Sequence, residues 1–391
     1  MSNKSSAVVS ALTSDGVVDK HAFVYEMKES LPNHAVEVVK LEKNISTANA
    51  TVLSFDVVKA GILQKQHLKI AITTSAQAGR SENAIFHYIN NISLSNNNRE
   101  LERMTGLDIL KYMSKLDSNT KLCFESAARV ANEVEQATCT YYVMLPWSFS
   151  ESMEKYLDTN FLDQLRVNVT FNAFSTVSGS TFSSATCELN STYLVMEEEA
   201  YETYRKNNFK GDNLEMLWKN SFQENTVNHS GSETTTTFNL ASDNVITNST
   251  LYNTYEPTPT NQFGQVVNSF SAGVSAIELR GNGKELWKQD MAALLLNNPR
   301  ALNVAANSGT DAVTFDGLIN IDWTQHAKDM PADVVDKYTG GISLKNLSQP
   351  QIIVTHAASS GSNSRFHLNH EYLNFISIEP ASGRAEISSA L

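Results

Sequence analysis

The feature that most constrains this 391-residue chain is an approximate internal repeat. Residues 92–103 align with 277–288 at an offset of 185, and most positions agree in residue or in charge type. Three further matches follow in the same order: 141–147 with 318–323, 167–170 with 352–355, and 189–194 with 368–373. One such match arises easily by chance in a chain rich in Asn and Ser, whereas four collinear matches indicate a tandem duplication.

The repeated unit is predicted to consist mainly of short strands. Segments rich in β-branched and aromatic residues, bounded by clusters of Asn, Gly and Ser, are typical of β-strands. They lie at 51–58, 67–74, 140–145, 166–174, 233–240, 275–280, 351–356 and 372–378. In the first aligned pair each copy reads as strand, tight turn and strand, and Asn282-Gly283 has the residues of a two-residue hairpin turn. We therefore predict a mainly β protein.

Short helices are predicted between the strands. Ser148 to Glu151 form an S-x-x-E capping box, and apolar residues at three-to-four spacing continue from it to Leu165, which predicts a helix. Pro331 in a first turn and Gly340 just past a last turn predict another helix over 329–341. Amphipathic segments at 107–113 and 291–296 predict one helix after each aligned hairpin.

Composition and charge argue against several classes of protein. Charged residues make up 18% of the chain, the net charge is −12 and the isoelectric point is near 5.3. Direct binding to nucleic acid is disfavoured, because neutralising phosphates needs a basic surface. No apolar run is long enough to span a bilayer, and the apolar stretch near the N-terminus is too short for a signal peptide. We expect a soluble chain that is made inside the cell.

The three cysteines are Cys123, Cys139 and Cys187, and no two of them form a CxxC pair. An odd number without paired spacing indicates neither a disulfide framework nor a zinc site. We expect all three to be buried free thiols.

A repeat of this length, with roughly eight strands and an interposed helix, fits an eight-stranded jelly roll better than a propeller blade or an immunoglobulin domain. We therefore predict two tandem eight-stranded jelly rolls with short interposed helices. Trp147, Trp323, Tyr193 and Tyr372 stand at matched positions of the repeat and are predicted to be structural core anchors, because large aromatic side chains bury much area. A carbohydrate-stacking role for either tryptophan is the alternative.

Two stretches of the sequence carry a resemblance to a known family. Residues 140–151, the predicted helix and residues 165–171 resemble the strand, helix and strand in the first half of double jelly-roll major capsid proteins. The proteins in question are those of tailless, internal-membrane-containing bacteriophages of the tectivirus kind. Residues 351–355 and 366–375 resemble the closing strands of the second half. The resemblance in length and element order covers the chain from about residue 40 to its end.

The resemblance implies a structural capsid protein that is not an enzyme and holds no cofactor. Three chains would form a homotrimeric, pseudo-hexagonal capsomer, which packs with neighbouring capsomers and minor capsid proteins into an icosahedral shell around a lipid membrane. Virions would assemble in the host cytoplasm, and the shell would have no direct contact with nucleic acid. Residues 1–40 would be an N-terminal arm, either in contact with the membrane or a flexible tail. Residues 41–200 would form the first jelly roll and 201–391 the second, with the junction near 197–213.

Other classes of protein remain open from the sequence. A vertex or receptor-binding virion protein, or a lectin-like binding module, would share the fold but differ in copy number and symmetry. A bicupin-type enzyme needs two histidines one residue apart, a carboxylate and a third histidine that converge on one metal. The nine histidines include no such pair, and His367 and His370, three residues apart on a strand, point to opposite faces. The sequence also has no nucleophile elbow, zinc-protease helix or phosphate-binding loop.

Overall fold

The computed structural model describes residues 34–77, 84–114, 116, 118–129, 136–150, 156–174, 180–202, 214–229, 233–240, 245–255, 274–290, 293, 302–306, 313–323, 341–345, 347–356 and 364–389. In these ranges the chain is mostly β-structure. None of the helices in them combines the length and the apolar character that a membrane crossing requires.

The first half of the chain begins with a long strand and ends with a longer one. Its strands are β1 (His34–Ile45), β2 (Thr51–Asp56), β3 (Ile62–Ala76), β4 (Ile89–Asn96), β5 (Arg99–Thr105), β6 (Thr138–Leu145), β7 (Leu157–Asp158), β8 (Leu165–Phe171) and β9 (Thr181–Met196). Its helices are α1 (Ala84–Tyr88), α2 (Gly106–Ser114) and α3 (Ser118–Ala128), with 3-10 turns at Ser148–Ser150 and Thr159–Phe161.

These strands pair into two antiparallel sheets that enclose one hydrophobic core. One sheet has the order β1-β9-β3-β6, with the two-residue strand β7 added to β3, and the other has the order β2-β8-β4-β5. Residues along β6 and β8 alternate between buried and more exposed, as expected for strands with one face on a core. Two facing four-stranded sheets with this order form an eight-stranded jelly roll.

The second half of the chain also forms two sheets around a core of its own. Its strands are β10 (Leu214–His229), β11 (Thr235–Asn239), β12 (Val245–Tyr255), β13 (Val274–Gly281), β14 (Lys284–Asp290), β15 (Leu302–Ala306), β16 (Val313–Asp322), β17 (Ile342–Ser343), β18 (Gln351–His356), β19 (Ser364–Glu379) and β20 (Arg384–Ser389). One sheet has the order β10-β19-β12-β16-β15, with β17 paired to β12 and β20 to β19, and the other has the order β11-β18-β13-β14.

The strand order of the second jelly roll repeats that of the first. Strands β10, β19, β12 and β16 take the places of β1, β9, β3 and β6, and β11, β18, β13 and β14 take those of β2, β8, β4 and β5. Each of the four aligned sequence pairs falls on a pair of matched strands. The predicted fold class, two tandem jelly rolls, is therefore confirmed.

The first aligned pair forms two hairpins with the same turn. The β4–β5 turn runs through Asn97 and Asn98 at φ values of 48° and 65°, and the β13–β14 turn through Asn282 and Gly283 at 55° and 71°. Two consecutive positive φ values are what a type I′ turn needs, and Asn and Gly adopt them at least cost. All eight predicted strands overlap observed ones, and α2 confirms the helix predicted at 107–113.

The helix predicted from Ser148 to Leu165 is wrong over residues 156–165. Leu157 and Asp158 pair with β3 as β7, and a 3-10 turn follows. The Asp158 carboxylate accepts a hydrogen bond from the backbone N–H of Asn160 at 3.0 Å, so it caps a single turn. Sheet pairing and burial thus override a helical spacing, which is a weak prior. The helices predicted at 329–341 and 291–296 lie outside the described residues, apart from Gly341 and Ala293.

The boundaries of the jelly rolls follow from their outer strands. Strand β1 begins at His34 and pairs with β9 along its whole length, so the arm predicted for residues 1–40 overlaps the start of this strand. Residues 1–33 lie outside the described part of the chain. Strand β9 ends at Met196 and β10 begins at Leu214, so the junction predicted at 197–213 falls between them.

All three cysteines are free thiols, but they differ in exposure. Cys139 and Cys187 are buried as predicted, and burial raises the pKa of Cys187 to about 12. The prediction is wrong for Cys123, which is exposed. It lies on α3, a helix of weak amphipathic character, where the apolar spacing that marks a buried position is poorly developed.

Candidate functional site

A chain of buried hydrogen bonds surrounds the first predicted anchor, Trp147. Its indole N–H donates to Gln66 Oε1 at 2.9 Å, and Gln66 Nε2 donates to Ser191 Oγ at 2.8 Å. All three side chains are buried. Because Trp147 follows β6 while Gln66 and Ser191 lie on β3 and β9, the bonds tie three strands together inside the sandwich. They also satisfy polar groups whose burial would otherwise be costly.

The second jelly roll has the same arrangement at the matched positions. The Trp323 indole N–H donates to Ser249 Oγ at 2.7 Å, and that oxygen lies 2.7 Å from His370 Nδ1. The Ser249 hydroxyl therefore bridges the indole and the His370 ring, with its oxygen as the acceptor for the indole N–H. Ser249 and His370 lie on β12 and β19, the counterparts of β3 and β9. The duplication has therefore kept a tryptophan-centred polar chain while changing its other members.

The two polar chains differ in burial and in the residue that stands on the β9 or β19 strand. Trp147 is fully buried, whereas Trp323 is half-buried and packs edge-on against Trp287 with ring centroids 5.1 Å apart. His370 is 1% exposed, and burial lowers its pKa to about 4. The second polar chain therefore contains an imidazole that is neutral near pH 7, where the first contains the hydroxyl of Ser191.

The two tyrosines also lie in the cores. Tyr193 is fully buried in the first core, and burial raises its pKa to about 12. Tyr372 is 4% exposed in the second core, with its ring centroid 6.1 Å from that of His370. The structure thus places one predicted tryptophan and one predicted tyrosine with each core. Their role as stabilising anchors stays a prediction.

The two jelly rolls are joined by an aromatic contact that sequence reasoning missed. Phe149, in the 3-10 turn after β6, has its ring centroid 6.4 Å from that of Trp147 and 6.4 Å from that of Trp218. Trp218 lies on β10 of the second jelly roll, yet it is fully buried in the core of the first. Ile376, Ile378 and Ala385 of the second jelly roll belong to the same core. The first core therefore continues across the boundary.

A polar clasp, formed by Asn96, Asp163, Gly383 and Ala385, closes the same boundary. Asn96 Nδ2 donates to the carbonyl oxygens of Asp163 at 2.6 Å and Gly383 at 3.2 Å, and Asn96 Oδ1 accepts from Ala385 N–H at 2.9 Å. The Asp163 N–H also donates to the Gly383 carbonyl, at 3.0 Å. Asn96 is 1% exposed, so its amide is buried, and both its nitrogen and its oxygen are hydrogen-bonded.

Gly383 is required at this place for two reasons. Its φ of 65° lies in the left-handed region, and a Cβ there would collide with the Asp163 side chain. The one sequence signal for the clasp was a departure from the repeat. Asn96 aligns with Gly281 of the second copy, and that difference indicates a side chain that has a role in only one of the two copies.

Two polar pairs, one exposed and one part-buried, flank the clasp. Arg99 on β5 forms an ion pair with Glu386 on β20, with the two side chains 65% and 63% exposed. Asn369 on β19 donates its Nδ2 to Asp108 Oδ1 on α2 at 2.9 Å. The exposed ion pair adds little stability, so the aromatic contact and the buried polar groups are the main links between the jelly rolls.

The described residues contain no metal-binding cluster, and the crevice found among them is mainly apolar. No group of three or more His, Cys, Asp or Glu side chains there could hold a metal ion. A crevice between α1, α2, α3 and β6 is lined mainly by apolar residues such as Phe86, Ile109, Met113 and Phe124. Such a lining provides neither a general base nor a nucleophile with a partner.

Comparison with known proteins identifies the fold. No protein-family model matches the sequence, and no curated protein matches it. Among solved structures, a quasi-atomic model of the PBCV-1 virus capsid is 11% identical and covers 92% of this chain and 97% of its own, with a TM-score of 0.68. The Faustovirus major capsid protein is 8% identical over 94% and 96% of the two chains, with a TM-score of 0.64. The mavirus major capsid protein is 9% identical over 97% and 94%, with a TM-score of 0.54.

These similarities extend over nearly the full length of both chains, so they include both jelly rolls and the order in which they are joined. The resemblance to double jelly-roll capsid proteins that the sequence predicted is confirmed at the level of the fold.

Proposed function

We propose that this chain is a structural, non-enzymatic major capsid protein of an icosahedral virion. The observation that carries the proposal is the shared double jelly-roll fold, which matches capsid proteins over more than nine-tenths of the chain. A fold alone does not fix a function, so the proposal also rests on how the two jelly rolls are joined. Their shared core and the Asn96 clasp join them into one unit, which suits a shell subunit.

The proposed assembly is a homotrimer. Three chains of two similar jelly rolls give six similar units around one axis, which produces a pseudo-hexagonal outline from threefold symmetry. Such a capsomer would pack against neighbouring capsomers and minor capsid proteins. The low charged fraction of 18% suits a subunit whose sides are covered, because charged residues are depleted in the centre of protein interfaces.

The wider setting is also part of the proposal. Residues 1–33, with the start of β1, would form the arm beneath the shell and contact an internal membrane of the tectivirus-like kind. Assembly would take place in the host cytoplasm. The net charge of −12 supports a shell with no direct contact to nucleic acid, because an acidic surface repels phosphates.

The trimer can be tested by native mass spectrometry and sedimentation velocity of the purified chain. We expect a species of about 130 kDa, three times the chain mass of 43.1 kDa. Electron microscopy should show blocks with a hexagonal outline. A stable monomer would contradict the assembly. A pentamer would favour the vertex or receptor-binding alternative, and binding to a glycan array through Trp323 would favour a lectin-like module.

A further inference from the structure

Imidazole groups are buried more often in the second jelly roll than in the first. Among the described residues, His356, His367 and His370 of the second are 3%, 9% and 1% exposed, and His87 of the first is 8% exposed. A buried ring is held neutral unless a partner or a nearby charge stabilises its protonated form. The surroundings of the ring nitrogens therefore decide how each half of the chain responds to acid.

The His370 ring is shut off from water. Its Nδ1 lies 2.7 Å from Ser249 Oγ, which also accepts from the Trp323 indole N–H. Its Nε2 is buried and has no hydrogen-bond partner among the described residues. Protonation makes both nitrogens donors, whichever one carries the hydrogen in the neutral ring. The charged ring would therefore bury an Nε2–H group that none of those residues accepts from, next to a serine oxygen that already accepts.

The register partners of His370 on the neighbouring strands are uncharged. They are Ser249 on β12 and Gln223 on β10. Glu371 is the next residue of β19, so strand alternation directs it to the other face of the sheet. The strands that flank the ring therefore place no carboxylate in register with it.

Charged groups on the other elements around this core do not compensate a proton on His370. Glu224 on β10 is one register position away from it, and Asp322 on β16 is one position away from the partner of Ser249. Other titratable groups have partners of their own: Glu278 with Arg280 and Lys288, His356 with Thr236, and Asp108 with Asn369. Burial lowers the pKa of His370 to about 4, and no charged group adds to this shift.

The first jelly roll has no ionisable group at the matched place. Gln66 and Ser191 form the corresponding register pair on β3 and β9, and neither side chain changes its charge between neutral and acidic pH. The Trp147 indole therefore keeps its acceptor in acid. Trp323 instead shares its acceptor with a ring that can take up a proton.

Trp323 lies where an opening of the second jelly roll can begin. It is half-buried, and its backbone N–H donates to the Thr247 carbonyl on β12 at 3.0 Å. Strand β12 is irregular beside this bond, and it pairs with β16 over residues 248–252. In the first jelly roll the matched tryptophan, Trp147, is fully buried, and β3 pairs with β6 over residues 66–73. The second tryptophan thus closes a shorter and more exposed strand pair.

We propose that the Ser249–His370–Trp323 chain is an acid-sensitive latch of the second jelly roll. When His370 takes up a proton, the charged ring leaves the core, Trp323 loses its buried acceptor, and β16 separates from β12. The first jelly roll, with Gln66 and Ser191 at the matched places, stays closed. The latch lies within one chain, so it goes beyond the proposed capsid role and does not depend on the trimer.

Hydrogen exchange of the full-length chain, followed by mass spectrometry at pH 7 and pH 5, measures the opening of each half. Protection is compared after correction for the effect of pH on intrinsic exchange. A ring with a pKa of about 4 when closed and 6.5 when open shifts the opening equilibrium by about twentyfold between these pH values. We expect the protection of β12 and β19 to fall by about twentyfold, and that of β3 and β9 by less than about threefold.

Two variants remove the titration and one control keeps it. His370→Asn leaves an amide near the place of Nδ1, so β12 and β19 should keep their protection at pH 5. Ser249→Gln with His370→Ser gives the second half the polar pair of the first and should have the same effect. His87→Gln is the matched control, because it removes a buried histidine of lowered pKa from the first jelly roll. In that variant β12 and β19 should still lose protection.

Circular dichroism at pH 7 checks that each variant is folded. Wild-type protection of β12 and β19 that is unchanged at pH 5, or that falls equally in β3 and β9, would overturn the latch even if no variant folds. A loss that persists in folded His370→Asn would also overturn it, because another group would then sense the proton. A loss in wild type and in His87→Gln that His370→Asn abolishes supports the latch.

Discussion

Replacing Asn96 by Ala tests whether the buried clasp holds the two jelly rolls together. The substitution removes the buried hydrogen bonds to the carbonyls of Asp163 and Gly383 and from the N–H of Ala385, together with a longer one from Asn97 Nδ2 at 3.5 Å. A buried hydrogen bond contributes roughly 1 kcal/mol net, and a buried N–H left without a partner costs about as much or more. The Gly383 carbonyl still accepts from Asp163 N–H, which limits the loss. We expect the free energy of unfolding to fall by about 3 kcal/mol.

A second substitution and a control sharpen this prediction. Asn96→Asp keeps an acceptor for Ala385 N–H but places a carboxylate against two carbonyl oxygens, so it should destabilise at least as much as Asn96→Ala. Arg99→Ala removes the exposed ion pair to Glu386 at the same boundary, and its cost should stay below about 1 kcal/mol.

Guanidinium unfolding, followed by tryptophan fluorescence and circular dichroism, measures these differences. Trp218 is a useful reporter, since it belongs to the second jelly roll but is buried in the first core. If Asn96→Ala stays within about 0.5 kcal/mol of wild type, the clasp contributes no stability and the reasoning from buried hydrogen bonds is refuted.

Three further predictions concern the cores and the clasp. Trp147→Ala should lower the free energy of unfolding by about 3 to 5 kcal/mol, measured by thermal or chemical unfolding. Trp323→Ala should lower it by less, because that side chain is only half-buried. Equal losses would contradict the difference in packing. Burial lowers the pKa of His87 and His370 to about 4 in the folded chain. Between pH 4 and 6.5 the unfolded chain therefore binds more protons than the folded chain does. The free energy of unfolding should be highest above pH 6.5 and fall by about 3 kcal/mol per histidine as the pH is lowered towards 4. His370→Gln should make the free energy of unfolding depend less on pH over this range. Gly383→Ala should lower the melting temperature, because it adds a collision with Asp163 to backbone strain; an unchanged melting curve would show that the turn can relax.

Much of the fold could be predicted from the sequence because the signals are local and occur twice. Buried and more exposed residues alternate along β8 and along its counterpart β18. The same strand signal is therefore present in both copies of the sequence. The helix predicted up to Leu165 failed because apolar spacing is ambiguous over short segments, and the pairing of Leu157 with Leu63 decided the outcome.

The contact between the jelly rolls could not be predicted in the same way. Asn96 and Gly383 are 287 residues apart, and neither carries a local pattern that names the other. In the sequence, Trp218 is indistinguishable from any other large aromatic residue that a core would bury. Nothing in the sequence indicates which of the two cores it enters. The alignment of Asn96 with Gly281 indicates only that the two copies have diverged at this position.

The distance along the chain between the two sides of the clasp has a consequence for biosynthesis. The strands from β1 to β9 can pair with one another as soon as they have been translated. The side of the first jelly roll beside Phe149 must wait for Trp218, and then for a hairpin that lies 287 residues beyond Asn96. During that interval an apolar surface meets solvent, so the nascent protein is most prone to aggregation there and most dependent on chaperones.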